Sequence, residues 1–503
     1  MGGSFWEHAA EAPERVALVA PDGAAWSAAA LREASERFAA GLRSIGCQAG
    51  DVVAFVMHNT AEILALSLAT AEAGVYLVPV NWHLTAAEIG YILADSDAKA
   101  VFCTAQTAQS VAEAADAAGL SRRYCTTAVA GFSLLNEFGA DAPPVSDRCA
   151  GGVMSYTSGT TGQPKGVRRP LPPYPPEPVA AGHAGFLAGF GLKPGGVHLV
   201  VSPLYHTAVL YYATNTLHLG QTIVLMDRWT PEGTLERIET YRVTNSHMVP
   251  TQFVRMLKER PSLREYDVSS LVRVIHGAAP CSKAVKRQML EWWGEVIFEY
   301  YAATEGGGTI VSPQEWLERP GTVGKPWDGA EIRIYDDEGT LLAPDEIGTV
   351  FIKMAQGFTY HKDPTKTGRA WNPDGFFTVG DAGYLDADGY LYLCDRKADM
   401  IISGGVNIYP AEIEGVLITH PAVMDVAVFG IPDADWGEQV KAVVETRAAV
   451  SEDALIAFAL ETLAKYKCPR SIDFVDALPR DPNGKLAKRT LRDPYWAGTG
   501  RSI

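Results

Sequence analysis

The chain has 503 residues, 47% of them hydrophobic and 20% charged, with a formal net charge of -16. That length exceeds what one hydrophobic core serves and predicts two or more domains. The composition excludes a disordered or fibrous chain, and an acidic surface disfavours nucleic acid and anionic membrane as partners.

Seven scattered cysteines without a Cys-x-x-Cys pair argue against a zinc site and for a reducing compartment. No window reaches the roughly 18 apolar residues of a membrane span, and the start "MGGSFWEHAA" lacks a basic segment leading into an apolar run. The expectation is a cytoplasmic protein without a membrane span.

In chain order, "SAAALREASERFAAGLRSIG" places Leu31, Ala34, Phe38, Leu42 and Ile45 at helical spacing, with Gly46 as the stop. "DVVAFVM" is a continuous apolar run of the kind found in strands buried on both faces. The helical "TAEILALSLATAEAG" and strand-like "VYLVPV" repeat the cycle, which predicts a doubly wound α/β sheet. "RRPLPPYPPEP" reads as an exposed proline-rich loop. The alternation resumes with "VHLVVSPL", "QTIVLM" and "LVRVIHG" as strands. Near 320–394, short strands with Gly and Asp turns predict a small β subdomain. The last hundred residues read as an α+β unit, with Pro410 opening the helix "PAEIEGVLITH", strands "VMDVAVFGI" and "VKAVVETR", and a helix in "DALIAFALETLAKY". The expected organisation is an N-terminal region 1–394 of two α/β subdomains and the β subdomain, a hinge at 395–399, and a smaller mobile α+β region 400–503.

"MSYTSGTTGQPKGV" gathers glycines, hydroxyl residues and one lysine. Flexible glycines beside Ser and Thr let backbone N–H groups converge on a phosphate, and Lys165 adds a mobile positive charge. The stretch is not a P-loop, because Lys165 lies between Pro164 and Gly166 rather than before Ser or Thr. "YTSGTTGQPKG" resembles the phosphate-loop signature of the adenylate-forming superfamily, which includes acyl-CoA synthetases, peptide-synthetase adenylation domains and luciferases. The likeness continues in order along essentially the whole chain. "YAATE" (Tyr301 to Glu305) is similar to the adenine and magnesium motif, "GFFTVGDAGYLDADGYLYLCDRKADMIISGGVNIYPAEIE" to the ribose motif, hinge and following loop, and "PNGKLAKR" to the C-terminal lysine motif.

The resemblance implies an ATP-dependent, Mg2+-assisted joining of a carboxylate to the α-phosphate with release of pyrophosphate, followed by transfer of the acyl group to CoA. Two anions must meet, so charge neutralisation and alignment carry the catalysis. It implies that Thr157, Ser158, Gly159, Thr160, Thr161, Gly162 and Lys165 hold the phosphates and that Thr304 contacts the α-phosphate. Glu305, with Thr161, would hold Mg2+. Gly277, Ala278, Ala279, Tyr300, Tyr301, Ala302 and Ala303 would bind the nucleotide, with Tyr301 stacking on adenine. Asp381 and Arg396 would hold the ribose, although Val379 stands where the family commonly has Thr. Lys485 would bridge carboxylate and phosphoryl group in the transition state. Gly404 and Gly405 would line the pantetheine tunnel, and Ala398 occupies the hinge position that usually carries Asp or Lys. From Lys465 to Ile503 nine Lys or Arg stand against four Asp, a basic piece suited to ATP or CoA.

For the acid, "SPLYHTAV" puts His206 beside the expected pocket, to orient the carboxylate, gate the channel or serve the structure. "YHTAVLYYATN" has no aspartate to hold an α-amine. "GHAGFLAGFG", "AVLYY", "HGAAP" and "GGG" are small and apolar with aromatic edges, suiting a large hydrophobic acyl group. The order of expectation is a bulky polycyclic or terpenoid acid, then a medium or long fatty acid, then an aryl acid, in a protein compatible with a homodimer. The alternative acceptor is a carrier-protein phosphopantetheine.

Overall fold

The computed structural model describes residues 3–157, 163–259, 261–481 and 484–497. Two compact units emerge. The first runs through His247 and takes in Tyr266–Val274 and Gln356–Arg369; the second comprises Met248–Glu265, Ile275–Ala355 and the chain from Ala370 onward.

In the first unit, six strands lie in the order Ser133–Leu134, Arg123–Cys125, Ala98–Cys103, Val52–Val56, Tyr76–Pro79, Gly152–Val153, every pairing parallel. The apolar run of the central strand follows from this position. Val53 and Phe55 enter one core cluster and Val52, Ala54 and Val56 another, so both faces are covered. The helix read around Leu31 spans Ala28–Ser44, Ser27 caps its start, and Gly46 follows in the left-handed region at φ 81°. A second group pairs Val197–Val200 in parallel with Thr222–Leu225 and with residues 245–247; Val16–Val19 extends it. A small antiparallel sheet sets Lys165–Arg168 between Ser155–Thr157 and Thr359–Tyr360.

The second unit contains the antiparallel hairpin Ile297–Ala303 and Gly306–Val311, and a four-stranded antiparallel sheet of Ala330–Tyr335, Gly348–Met354, Asp381–Leu385 and Leu391–Arg396. Its C-terminal sheet joins Val406–Ile408, Ile401–Ser403, Gly437–Thr446 and Val423–Asp433, with Ser471–Val475 parallel to Gly437–Thr446. Helices Pro410–Leu417, Glu452–Leu460 and Lys488–Trp496 accompany it.

Two expectations change. The proline-rich segment is not wholly loop, since Pro176 is buried and opens the helix Pro176–Gly189; a proline at the first position costs no hydrogen bond. The basic tail is largely neutralised by the protein itself: Lys467 pairs with Glu412, Arg470 with Asp433, Arg480 with Asp425, Lys488 with Glu414 and Arg489 with Asp493. Its formal excess of positive charge therefore does not face a ligand as a whole. All seven cysteines are free thiols, and among the described residues no helix is long and apolar enough to cross a membrane.

Candidate active site

The strand Ile297–Ala303 carries the first cluster. Its pairing with Gly306–Val311 shifts register between Tyr301 and Ala302, a bulge that re-aims the end of the strand before the turn at Thr304 and Glu305. Tyr301 is buried, and its hydroxyl donates to Asp381 Oδ2 at 2.6 Å. Burial first, and Asp381 next, push that hydroxyl well above the ordinary phenol range, so it stays a donor. Asp381 faces Arg396 across the hairpin, and Arg396 Nε lies 3.6 Å from its Oδ1. The residue expected to stack on adenine thus also orients the aspartate expected to take the ribose. One oxygen of Asp381 is engaged by the phenol, and the other is turned to the guanidinium.

Glu305 is 8% exposed. Among the described residues no three His, Cys, Asp or Glu gather as a ready-made metal cage. A buried carboxylate suits Mg2+, which takes one or two protein carboxylates and completes its shell with phosphate oxygens and water. The residues present therefore fit the ion, and Glu305 would hold it. Thr161, the other expected ligand, falls with Ser158, Gly159, Thr160 and Gly162 outside the described residues.

The loop Gly277–Ala279 lies against the same strand. A Cβ on Gly277 would stand 2.7 Å from the Tyr300 ring and 2.8 Å from its carbonyl oxygen, and Ala278 holds φ 69°, a left-handed conformation that costs an alanine free energy. Beneath the loop, the wholly buried Lys286 donates to Glu299 Oε2 at 2.6 Å, with His276 Nε2 at 3.6 Å from the same oxygen. Burial raises the Glu299 carboxyl, and Lys286 opposes the rise. Sequence reading misses this pair, because a lysine in a helix such as Lys283–Trp293 gives no sign of pointing inward. The glycines Gly306, Gly307 and Gly308, expected in the pocket wall, are needed for packing: added Cβ atoms would collide with Phe377, Trp327 and Tyr301.

Lys485 sits in a turn built by its neighbours. Asp481 Oδ1 accepts from the Lys485 N–H at 2.9 Å and Gly484 N–H donates to Asp481 O at 2.8 Å. Arg480 donates to Gly484 O at 2.7 Å and to Asp425 Oδ1 at 2.8 Å, which clamps the turn to the strand Val423–Asp433. Gly484 has φ 76°, and a Cβ there would stand 2.1 Å from Thr251 Oγ1. Solvent reaches Lys485, yet enough protein surrounds the ammonium for lost hydration to lower its pKa. Arg396 lowers it further, while Asp481, Glu305 and Asp381 pull the other way. Lys485 therefore shares its electrostatic environment with the Tyr301–Asp381–Arg396 chain and with Glu305.

The remaining predicted residues are carried by other elements. Lys165 and Thr157 pair across their hairpin in the first unit. Lys165 Nζ lies 3.8 Å from Asp95 Oδ1 and 5.9 Å from the centre of the Tyr91 ring. His206, also in that unit, precedes the helix Thr207–His218 and lies beside Tyr205 with ring centroids 4.4 Å apart. Gly404 and Gly405 form the tight turn between Ile401–Ser403 and Val406–Ile408, both at positive φ, and a Cβ on Gly404 would stand 2.4 Å from the Trp436 ring. A two-residue hairpin turn of that shape asks for glycine on its own account.

Residues 5–359 match the model of the AMP-binding enzymes and residues 412–485 that of the AMP-binding enzyme C-terminal domain. The chain belongs to the AMP-binding enzyme family. It is 34% identical to the long-chain-fatty-acid–CoA ligase FadD13 of Mycobacterium tuberculosis over 93% of both chains. To the fatty acid–[acyl-carrier-protein] ligase ScoC of Streptomyces coeruleorubidus it is 32% identical, over 94% of this chain and 92% of that one. Its fold superposes with a TM-score of 0.83, at 29% identity and 98% coverage of each chain, on o-succinylbenzoate CoA synthetase (MenE) of Bacillus subtilis in complex with the acyl-adenylate intermediate OSB-AMP. The protein is an ATP-dependent, adenylate-forming acid–thiol ligase of the acyl-CoA synthetase type.

Proposed function

We propose that this AMP-binding enzyme activates a hydrophobic carboxylic acid as its acyl adenylate and passes the acyl group to CoA. The observation that carries the reading is the Tyr301–Asp381–Arg396 chain, with the buried Glu305 at the end of the strand of Tyr301 and Lys485 held in its clamped turn. Asp381 and Arg396 hold the ribose, Glu305 holds Mg2+, and Mg2+ when bound neutralises phosphate charge. Lys485 bridges the attacking carboxylate and the α-phosphate, where an incompletely hydrated cation gains most as negative charge gathers. Lys165, with the glycine-rich loop, takes the departing pyrophosphate. In the second step the CoA thiol, passing Gly404 and Gly405, gives its proton to water and adds as thiolate to the acyl carbon, and AMP leaves with the bonding electron pair.

An apolar acyl group is supported by the helices Pro176–Gly189 and Thr207–His218. Phe186 lies edge-on to Tyr211 at 6.4 Å and near Phe190 at 4.4 Å, and His183 lies 5.5 Å from Tyr211. FadD13 and MenE are named for long-chain fatty acids and for succinylbenzoate, so fatty and aryl acids precede the polycyclic acid, which rests on sequence resemblance alone. The name of the ScoC relative favours a carrier-protein phosphopantetheine as the second acceptor to test. Free thiols throughout support a reducing, cytoplasmic setting.

Mass spectrometry of reactions with ATP, Mg2+ and fatty, aryl, polycyclic and amino acids, with and without CoA, tests the reading. Acyl-CoA with AMP is the expected product; acyl-AMP alone moves the acceptor to a carrier protein, and neither product overturns the assignment. We further propose that residues 395–399 are the hinge between regions 1–394 and 400–503. Ala398 O there accepts from Arg492 Nη1 at 3.1 Å, a backbone contact in place of a hinge side chain. Ala398→Pro is expected to slow thioester formation about threefold or more while adenylation holds, since a hinge needs backbone freedom. An unchanged second step removes the hinge from this position.

A further inference from the structure

The helix Pro250–Lys258 has two working faces. Phe253 turns inward, edge-on to His276 at 5.2 Å and to Trp293 at 6.3 Å. Thr251, Val254 and Lys258, spaced three and four residues apart, share the other face. Each meets a different part of the C-terminal α+β region. Thr251 lies against Gly484, in the turn that carries Lys485. Val254 packs on the core cluster of Ile413, Leu417 and Val423. Lys258 Nζ donates to Ile418 O at 3.2 Å, to Met424 O at 3.3 Å and to Val423 O.

Those carbonyls matter because Ile418 ends the helix Pro410–Leu417, where the last backbone oxygens lack partners within the helix and concentrate negative partial charge. Lys258 supplies both donors and positive charge from another element, and Ser282 Oγ adds a bond to Gly415 O at 3.4 Å. The placement carries a cost: burial pushes the Lys258 amine down to about 8, with Asp425 and Glu445 raising it and Arg447 lowering it. A solvated surface lysine would bear no such cost.

We propose that Lys258 is a positioning residue for acyl-adenylate formation, holding in place the C-terminal elements that carry the turn of Lys485. The inference rests on the reading that Lys485 serves the adenylation step. Lys258 touches none of the expected substrate groups, so its contribution appears in the turnover of that step and not in substrate binding.

The test uses the full-length enzyme with Lys258→Met and Lys258→Arg, and Lys258→Gln should the methionine variant not fold. Lys258→Met is expected to slow acyl-AMP formation about tenfold, the loss of about 1.4 kcal/mol of docking. KM for ATP and for the acid, and thioester formation from supplied acyl-AMP, stay within about twofold. Lys258→Arg, which keeps charge and donors, regains at least half the rate. An unchanged first step, or both steps falling together with Tm, overturns the proposal. If the wild-type enzyme makes no acyl-AMP from any acid, the functional reading fails separately. Amide hydrogen exchange over residues 484–488 then decides the docking, with faster exchange in Lys258→Met expected and unchanged exchange overturning it.

Discussion

Lys165 and Lys485 carry the same charge in opposite surroundings. Lys165 begins the strand Lys165–Arg168, where Tyr91 and then Asp95 raise its pKa. Lys485 stands in a clamped turn where lost hydration and Arg396 lower its pKa. The first cation is already compensated by protein groups before a nucleotide arrives, so a phosphate gains only the difference between itself and Asp95. The second is under-compensated, and new negative charge beside it gains more. Under the proposed function, that difference suits Lys165 to binding and Lys485 to the transition state.

The largest effect is expected for Lys485→Ala: acyl-AMP formation in a single turnover falls by roughly 10²- to 10³-fold, the scale of removing one preorganised charge donor. Thioester formation from supplied acyl-AMP stays within a few fold. Equal losses in both steps would erase the contrast between the lysines. The pH profile sharpens it. Only protonated Lys485 can bridge two anions, and its lowered pKa lets the neutral form accumulate at lower pH than for an ordinary lysine near 10.4. The kcat/KM of acyl-AMP formation is therefore expected to fall as pH rises through that lowered pKa, by about tenfold per unit beyond it. In Lys485→Arg the residual activity loses this alkaline limb, whereas Lys165→Arg keeps it.

Gly484→Ala introduces a Cβ 2.1 Å from Thr251 Oγ1 at a left-handed position. Strain of about 1–2 kcal/mol there is expected to slow adenylation by about tenfold, and Thr251→Ala in the same chain recovers part of the loss. Lys165→Ala is expected to give the smallest change, raising KM for ATP about fivefold with kcat nearly constant, since Asp95 is released as the phosphate contact is lost. A fall in kcat instead would move Lys165 into the transition state.

Much of this site is legible in the amino-acid sequence. The resemblance of the ordered motifs names Lys165, Tyr301, Glu305, Asp381, Arg396 and Lys485 as expected site residues, and folding joins three of them, Tyr301, Asp381 and Arg396, in one chain of contacts. Periodicity carries the helix Ala28–Ser44 and the buried strand Val52–Val56. Two features are not legible. By composition, the helix Lys488–Trp496 reads as part of a free basic tail, since Lys488 finds Glu414 only through folding, and Trp496 donates to Gly430 O in the core. The glycines at 306–308 read as pocket wall, while Trp327 and Phe377, which require them, come from distant segments.

Side-chain type and short-range spacing carry the alternation of helices and strands, and the ordered motifs carry the resemblance to the family, so both can be read along the chain. Folding in three dimensions adds what spacing does not contain. Tyr301 orients Asp381 across 80 residues, Arg480 clamps the Lys485 turn to Asp425 across 55, and Lys258 caps Ile418 across 160. Hydrogen bonds of that span exist only after the chain has closed long loops and excluded water. Their partners are set by packing rather than by neighbours in sequence.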